Sequence, residues 1–276
     1  MKIIKLFVIS ILFLLLFVAC NRNPITGQMN MAFVSNSTLF PMAFQQYKDF
    51  LDENTIVTGT AEAQMVQRVG DRIRMAAESL LAAQGEADFL DDYEWEYHLI
   101  QSSEVNAWVM PGGKIVIYTG ILPLAIDEDG LAVIMGHEVA HAILNHGQQR
   151  MSASLLQEIG RIGLSIGASL LDLPSETQAI ILTAYGIGSQ LGGILPFSRS
   201  HENEADYYGL ILMAIAGYNP AAAASFWERM SSLGDGGFEW LSTHPSSDNR
   251  ASQLREWITE TTEIAAEIKL AISSLH

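Results

Sequence analysis

Two imidazoles and a carboxylate stand within one helical turn of each other in an otherwise apolar stretch: GHEVAH, residues 136–141, inside LAVIMGHEVAHAILNH. A buried polar group without a partner costs about 1–3 kcal/mol, and an unpaired ionised carboxylate costs more. These side chains must therefore face a cleft or hold something. On a helix, residues four apart share a face, so His137 and His141 point the same way. Two imidazoles at that spacing suit Zn²⁺, whose nitrogen ligands lie at about 2.0–2.1 Å. Glu138, beside the first of them, is placed to act as general base toward a water that the metal brings to a pKa of about 7.

A catalytic zinc needs three protein ligands and keeps a fourth position open. The extended motif HExxHxxGxxH is excluded, because Leu144 and Gly147 stand where Gly and His would be required. His146 lies five residues past His141. On a continued helix that rotates it by about 140°, so it is expected to miss the metal and to face solvent or the helix C-terminal dipole. The third ligand is sought instead in SRSHENEADYYG, residues 198–209. There Glu202, Ala205, Asp206 and Gly209 share a helical stripe. Glu202 can coordinate zinc, while Asp206, one turn on, can hydrogen-bond a ligand imidazole; this is the gluzincin arrangement. Taken alone ENEAD also reads as a solvated acidic helix start, but its pairing with HEVAH favours the ligand.

His244, in THPSSDNR at 243–250, falls in a loop and is expected at the mouth of the cleft. It could stabilise a developing oxyanion, or occupy zinc's fourth position when no substrate is present. Arg250 could orient that loop or pair with Asp206. His98 reads as packing, and His201 points about 100° away from Glu202 on a helix.

Several elements must position these groups. Helical periodicity predicts amphipathic helices over 35–51 and 60–83, the second with Met65, Val66, Val69, Ile73, Ala76, Ala77 and Leu80 on its inner face. Between 93 and 118 the period shortens. WEYHLI, VNAWVM and KIVIYTG are rich in β-branched and aromatic residues, and Pro111-Gly112-Gly113 separates the last two, which predicts a small sheet with a hairpin. Beyond Gly120 the chain reads as helical, with breaks at 173–174, 195–196, 217–220 and 234–237. The expected class is α+β, mostly α, with the small sheet packed on the HExxH helix. Residues Asn106, Ala107 and Trp108 are the expected edge strand, where an extended chain could pair through main-chain hydrogen bonds.

The chain has 276 residues and a formal charge of −16, or −18 without Lys2 and Lys5. Phosphate polyanions would be repelled, and no Lys/Arg cluster offers an exception. Residues 1–19 read as a signal peptide, 20–33 as a tether, and 34–276 as a single catalytic domain. Cys20, the only cysteine, ends FVAC, which resembles a bacterial lipobox and implies lipidation. With Asn21 after it, the expected location is the periplasmic face of the outer membrane. The apolar tract 155–196, interrupted by Arg161, Asp172, Pro174 and Glu176, reads as a soluble helical hairpin rather than a membrane span.

GHEVAH, SRSHENEAD with Tyr207, Tyr208 and Gly209, NAWVMPGGKIVIYTGIL, NPITG and THPSSDNR together resemble the HtpX/CAAX-prenyl-protease family of zinc metallopeptidases. The likeness is strongest to its soluble exported branch of BepA- and LoiP-like lipoproteins, related to mitochondrial Oma, and it covers residues 23–250. It implies one zinc per chain, endopeptidase activity, and misfolded or misassembled envelope proteins as substrates. The rival expectation is a zinc-containing binding protein that captures unfolded chains on the 155–196 hairpin and cleaves little.

Overall fold

The computed structural model describes residues 20–170, 175, 195–232, 240, 244 and 249–274. The expected signal peptide, 1–19, lies outside the described residues, as does most of 171–194 in the expected hairpin. In chain order the elements are β1 (Cys20–Arg22), β2 (Met29–Met31), α1 (Asn36–Glu53), β3 (Ile56–Val57), α2 (Ala61–Ala83), β4 (Glu96–Ile100), β5 (Ala107–Met110) and β6 (Lys114–Tyr118). The helices α3 (Leu122–Ala125), α4 (Glu128–Ile143), α5 (His146–Leu170), α6 (Leu195–Ala216), α7 (Ala222–Ser232) and α8 (Arg250–Ser273) follow. The class is α+β and mostly α.

Helix α4, which carries HEVAH, is the centre of the molecule. It starts where Asp127 caps it, the carboxylate accepting the Gly130 N–H at 3.0 Å, and Glu128 and Asp129 add negative charge in the first turn. Every residue from Gly130 to Ile143 is buried. The helix is apolar all round because α2, α6, α7 and β5 pack against it. Its crossing with α6 depends on two glycines. A Cβ on Gly209 would lie 3.2 Å from the Gly136 carbonyl carbon and the His137 nitrogen, and one on Gly136 would lie 3.0 Å from the Gly209 oxygen. Without side chains there, the two motif-bearing helices come close enough to share one ion.

The main sheet has the order β3-β4-β6-β5, with β4 and β6 parallel and the outer pairs antiparallel. The β5–β6 hairpin turns at Gly112 and Gly113, whose φ values of 86° and 90° favour glycine. Alternation divides the faces. Ala107, Ile115 and Ile117 enter the main core, whereas Trp108, Val116 and Tyr118 join Tyr47 and Phe50 of α1 on the other face. Among the described residues, strand β5 forms one edge of this sheet.

Residues 20–33 hold the β1–β2 hairpin, and this segment is docked on the domain. Asn23 accepts from the Ile25 and Thr26 N–H groups at 2.9 and 3.1 Å and donates to the Ile143 carbonyl at 3.4 Å, while Ile25 enters the core. Helix α5 covers residues 155–170 of the 155–196 tract and leaves Leu155, Ile159 and Ile162 exposed. Among the described residues, no helix is long and apolar enough to cross a membrane.

Candidate metal centre

Four side chains from three parts of the chain converge between α4 and α6: His137, His141, Glu202 and His244, all buried, each with a donor atom within 4.8 Å of the others. The two α4 imidazoles bring their Nε2 atoms to 3.0 Å. Glu202 reaches across from α6, with Oε2 at 3.3 Å from His137 Nε2 and Oε1 at 3.3 Å from His141 Nε2. His244 presents Nδ1 at 3.2 Å from His137 Nε2 and 3.0 Å from Glu202 Oε1.

Whether this cage fits a metal ion can be tested on the donors themselves. A tetrahedral ion with bonds of about 2.0–2.2 Å sets its ligands roughly 3.4 Å apart, close to the spacings present. The proton positions agree. His137 Nδ1 lies 3.0 Å from Asp206 Oδ1, so its proton sits there and the Nε2 lone pair faces the cage. Lone pairs and a carboxylate pointed at one small volume repel each other unless a cation occupies it. The electrostatics carry the same demand: burial lowers the His137 pKa, but Glu202 and Asp206 outweigh it and raise it to about 9. Burial and the neighbouring His137 push His141 well down. Burial by itself would raise Glu202, yet His141 and His137 hold it far below the carboxylate range. The pocket thus demands positive charge, as a proton or as a metal.

Around the cage, Arg250 clamps Asp206 with two hydrogen bonds, Nε to Oδ2 at 2.6 Å and Nη2 to Oδ1 at 2.7 Å, and touches Glu202 Oε2 at 3.3 Å. The guanidinium lies 3.4 Å over the Trp227 ring. Burial raises the Asp206 pKa, and Arg250 with His137 more than reverses this and lowers it. Glu138, 1% exposed, stands beside the cage without belonging to it. Its Oε1 accepts the Trp240 Nε1–H at 3.2 Å and lies 3.5 Å from His244 Nε2.

The three metal ligands named from sequence, His137, His141 and Glu202, therefore meet at one place with His244, Glu138, Asp206 and Arg250. The expected edge-strand residues do not enter the cage: Ala107 lies in the main core, and Trp108 turns its ring toward Tyr47 and Phe50. His98 packs as expected, against the Tyr47 hydroxyl at 2.8 Å.

Three participants were missed. Trp240 gave no spacing signal. His146 was expected to face away, and the structure corrects this. Helix α4 ends at Ile143, and Asn145 adopts a left-handed φ of 57°, so the helix breaks there and His146 opens α5 instead of continuing α4. It is fully buried, with Nδ1 at 2.8 Å from His141 Nδ1. Glu204, the second acid of ENEAD, lies 3.2 Å from His146 Nε2. His201 is buried too, stacked on His146 at 4.1 Å. Burial, with Arg150 adding for His146 and His146 adding for His201, lowers both pKa values to about 3.

Comparison with known proteins adds the wider context. Similar relatives include the mitochondrial metalloendopeptidase OMA1 of Schizosaccharomyces pombe, 38% identical over 174 residues that form 62% of this chain and 49% of the relative. The mitochondrial metalloendopeptidase OMA1 of Danio rerio is 31% identical over 276 residues, 95% of this chain and 54% of its own. The metalloprotease LoiP of Escherichia coli is 30% identical over 161 residues, 58% and 61%. The chain spans about half the length of the mitochondrial relatives it matches. These matches overturn the expected location at the outer membrane of a bacterium. The mitochondrial relatives of Schizosaccharomyces pombe and Danio rerio align at 38% and 31% identity against 30% for LoiP, so the features at Cys20 and Asn21 do not decide the compartment. Residues 67–258 match the model of Peptidase family M48, a span that runs from α2 into α8 and takes in every element carrying the cage; the chain belongs to that family.

Proposed function

We propose that the chain is a zinc-dependent endopeptidase that cleaves misfolded or misassembled proteins, taking them as an extended strand along the open edge of β5. The observation that carries this is Glu138, a buried carboxylate set against a four-donor cage in which it is not a donor. A purely structural zinc has no use for such a group. Three nitrogens and one carboxylate oxygen suit zinc over the hard oxygen-seeking cations.

When bound, zinc polarises the scissile carbonyl and makes water acidic enough to attack near neutral pH. Glu138 Oε1 takes the proton from the attacking water and delivers it to the departing amine nitrogen. Asp206, held by Arg250, fixes the His137 tautomer and ring orientation.

Strand β5 suits an added strand because its outer backbone groups alternate with those used by β6. Tyr118 donates its N–H to the Asn106 carbonyl at 3.1 Å, which leaves the groups of Val105, Ala107 and Val109 on the open side. Backbone pairing ignores side-chain identity, in keeping with substrates of many sequences.

In this reading the site is closed at rest. His244 fills the fourth corner of the cage, the Trp240 indole N–H holds Glu138, and the Trp240 backbone N–H reaches the outward Val105 carbonyl at 3.4 Å. These are three places a substrate needs. In this reading His244 and Trp240 leave together when an extended chain takes the edge, which favours a latch over an oxyanion helper.

The decisive experiment compares casein cleavage by wild type and Glu138→Gln. Loss of a general base slows the step by about 10²–10⁴-fold, with zinc content unchanged at one per chain. Cleavage at the wild-type rate by Glu138→Gln removes the assignment. A second reading, binding without cleavage, draws on the exposed Leu155, Ile159 and Ile162 of α5. It requires that wild type and Glu138→Gln suppress aggregation of an unfolded protein equally while neither cleaves it.

A further inference from the structure

His146 and Glu204 have no part in the chemistry assigned so far, yet His146 is fully buried against a metal ligand. For His141 to offer its Nε2 lone pair to the cage, its proton must sit on Nδ1, and that N–H needs an acceptor. The atom facing it, at 2.8 Å, is His146 Nδ1. His146 must then present a lone pair at Nδ1 and carry its own proton on Nε2. There Glu204 Oε2 lies 3.2 Å away to accept it. One assignment of protons satisfies both hydrogen bonds, and it is also the one that the cage requires.

The ring is held where it is needed. His146 stacks on His201 with centroids 4.1 Å apart and planes 13° from parallel, and His201 Nε2 meets Gln149 Oε1 at 3.2 Å. His146 also begins α5 directly after the left-handed Asn145, so its backbone is placed by the same break that ends α4. The two α4 ligands therefore have unlike supports. His137 leans directly on a carboxylate, Asp206, at 3.0 Å, whereas His141 leans on an imidazole that leans on a carboxylate.

We propose that His146, backed by Glu204, is the positioning residue for the metal ligand His141, selecting its tautomer, fixing its ring plane and raising its basicity toward the ion. The proposal rests on the reading of the cage as a zinc site. Outer partners of metal-bound histidines are worth about 10–100-fold in metal affinity. An asparagine at this position can place its Oδ1 near where Nδ1 stands and still accept from His141, whereas leucine fills the space and accepts nothing.

The test measures zinc affinity of the purified chain by chelator competition. His146→Leu is expected to weaken binding about 10–100-fold, and His146→Asn to restore most of that loss. Equal affinity in all three proteins, or equal losses in Leu and Asn, overturns the proposal, the second result reducing His146 to a space-filling role. If His146→Leu does not fold, ¹⁵N imidazole spectra of zinc-loaded wild type decide instead. His141 must be protonated at Nδ1, and His146 bare at Nδ1 and protonated at Nε2; any other tautomer of His146 refutes the relay. Wild type that takes up no zinc at all fails the cage reading itself, whereas normal zinc uptake with indifferent His146 variants fails this inference alone.

Discussion

Replacing Arg250 with methionine keeps most of the side-chain volume and removes one charge from a buried cluster. With zinc bound, the ion's two positive charges and the Arg250 guanidinium balance the three carboxylates Glu138, Glu202 and Asp206. Without Arg250 the cluster carries one uncompensated negative charge, and it falls on Asp206, whose two oxygens lose partners at 2.6 and 2.7 Å. Arg250 and Asp206 are each about 5% exposed in their side chains, so water cannot replace the contact. Removing one member of a buried pair costs about 3–5 kcal/mol, and that range is expected from urea unfolding of zinc-loaded Arg250→Met. Arg250→Lys retains the charge but loses the two-pronged contact and the flat face over Trp227. It is expected to cost about 1.5–3 kcal/mol, the worth of a hydrogen bond to a charged group. Removing Asp206 as well, in Arg250→Met with Asp206→Leu, takes away the orphaned charge and should recover part of the loss. A loss below about 1 kcal/mol in Arg250→Met, against the 3–5 kcal/mol of a broken buried pair, would refute the claim that this pair braces His137.

Gly209→Ala places a methyl 3.2 Å from the Gly136 carbonyl carbon and pushes α6 off α4. It should cost about 1–3 kcal/mol and weaken zinc binding as Glu202 withdraws; unchanged chelator competition would show that the crossing does not set the cage. Trp240→Phe keeps an aromatic ring stacked on Trp227 but deletes the hydrogen bond to Glu138. Casein cleavage should rise, and a fall in kcat would mean that the indole orients the base for catalysis. His244→Ala should leave zinc content at one per chain and raise cleavage, since a closure favoured ten to one lowers apparent substrate affinity by about the same factor. Loss of the ion would make His244 an obligatory ligand.

The centre of this protein was legible from local spacing because a helix turns local spacing into geometry. HEVAH set His137, Glu138 and His141 on one side of α4, and ENEAD set Glu202 and Asp206 on one stripe of α6, the two histidines and the two acids each spaced by a four-residue step. The wholly apolar flanks of HEVAH announced burial on all sides, and the change of period between 93 and 118 announced the sheet. What tertiary structure decided lies where the chain leaves a regular element. His146 was misplaced because a rotation angle holds only while a helix continues, and a single left-handed residue, Asn145, ends α4 and turns that imidazole back onto His141. Trp240 and His244 reach Glu138 and the cage from a part of the chain about 100 residues away, and no periodicity carries over such a distance. The pairing of Gly136 with Gly209 is likewise invisible one residue at a time, since a glycine shows that a backbone can be approached but not by what.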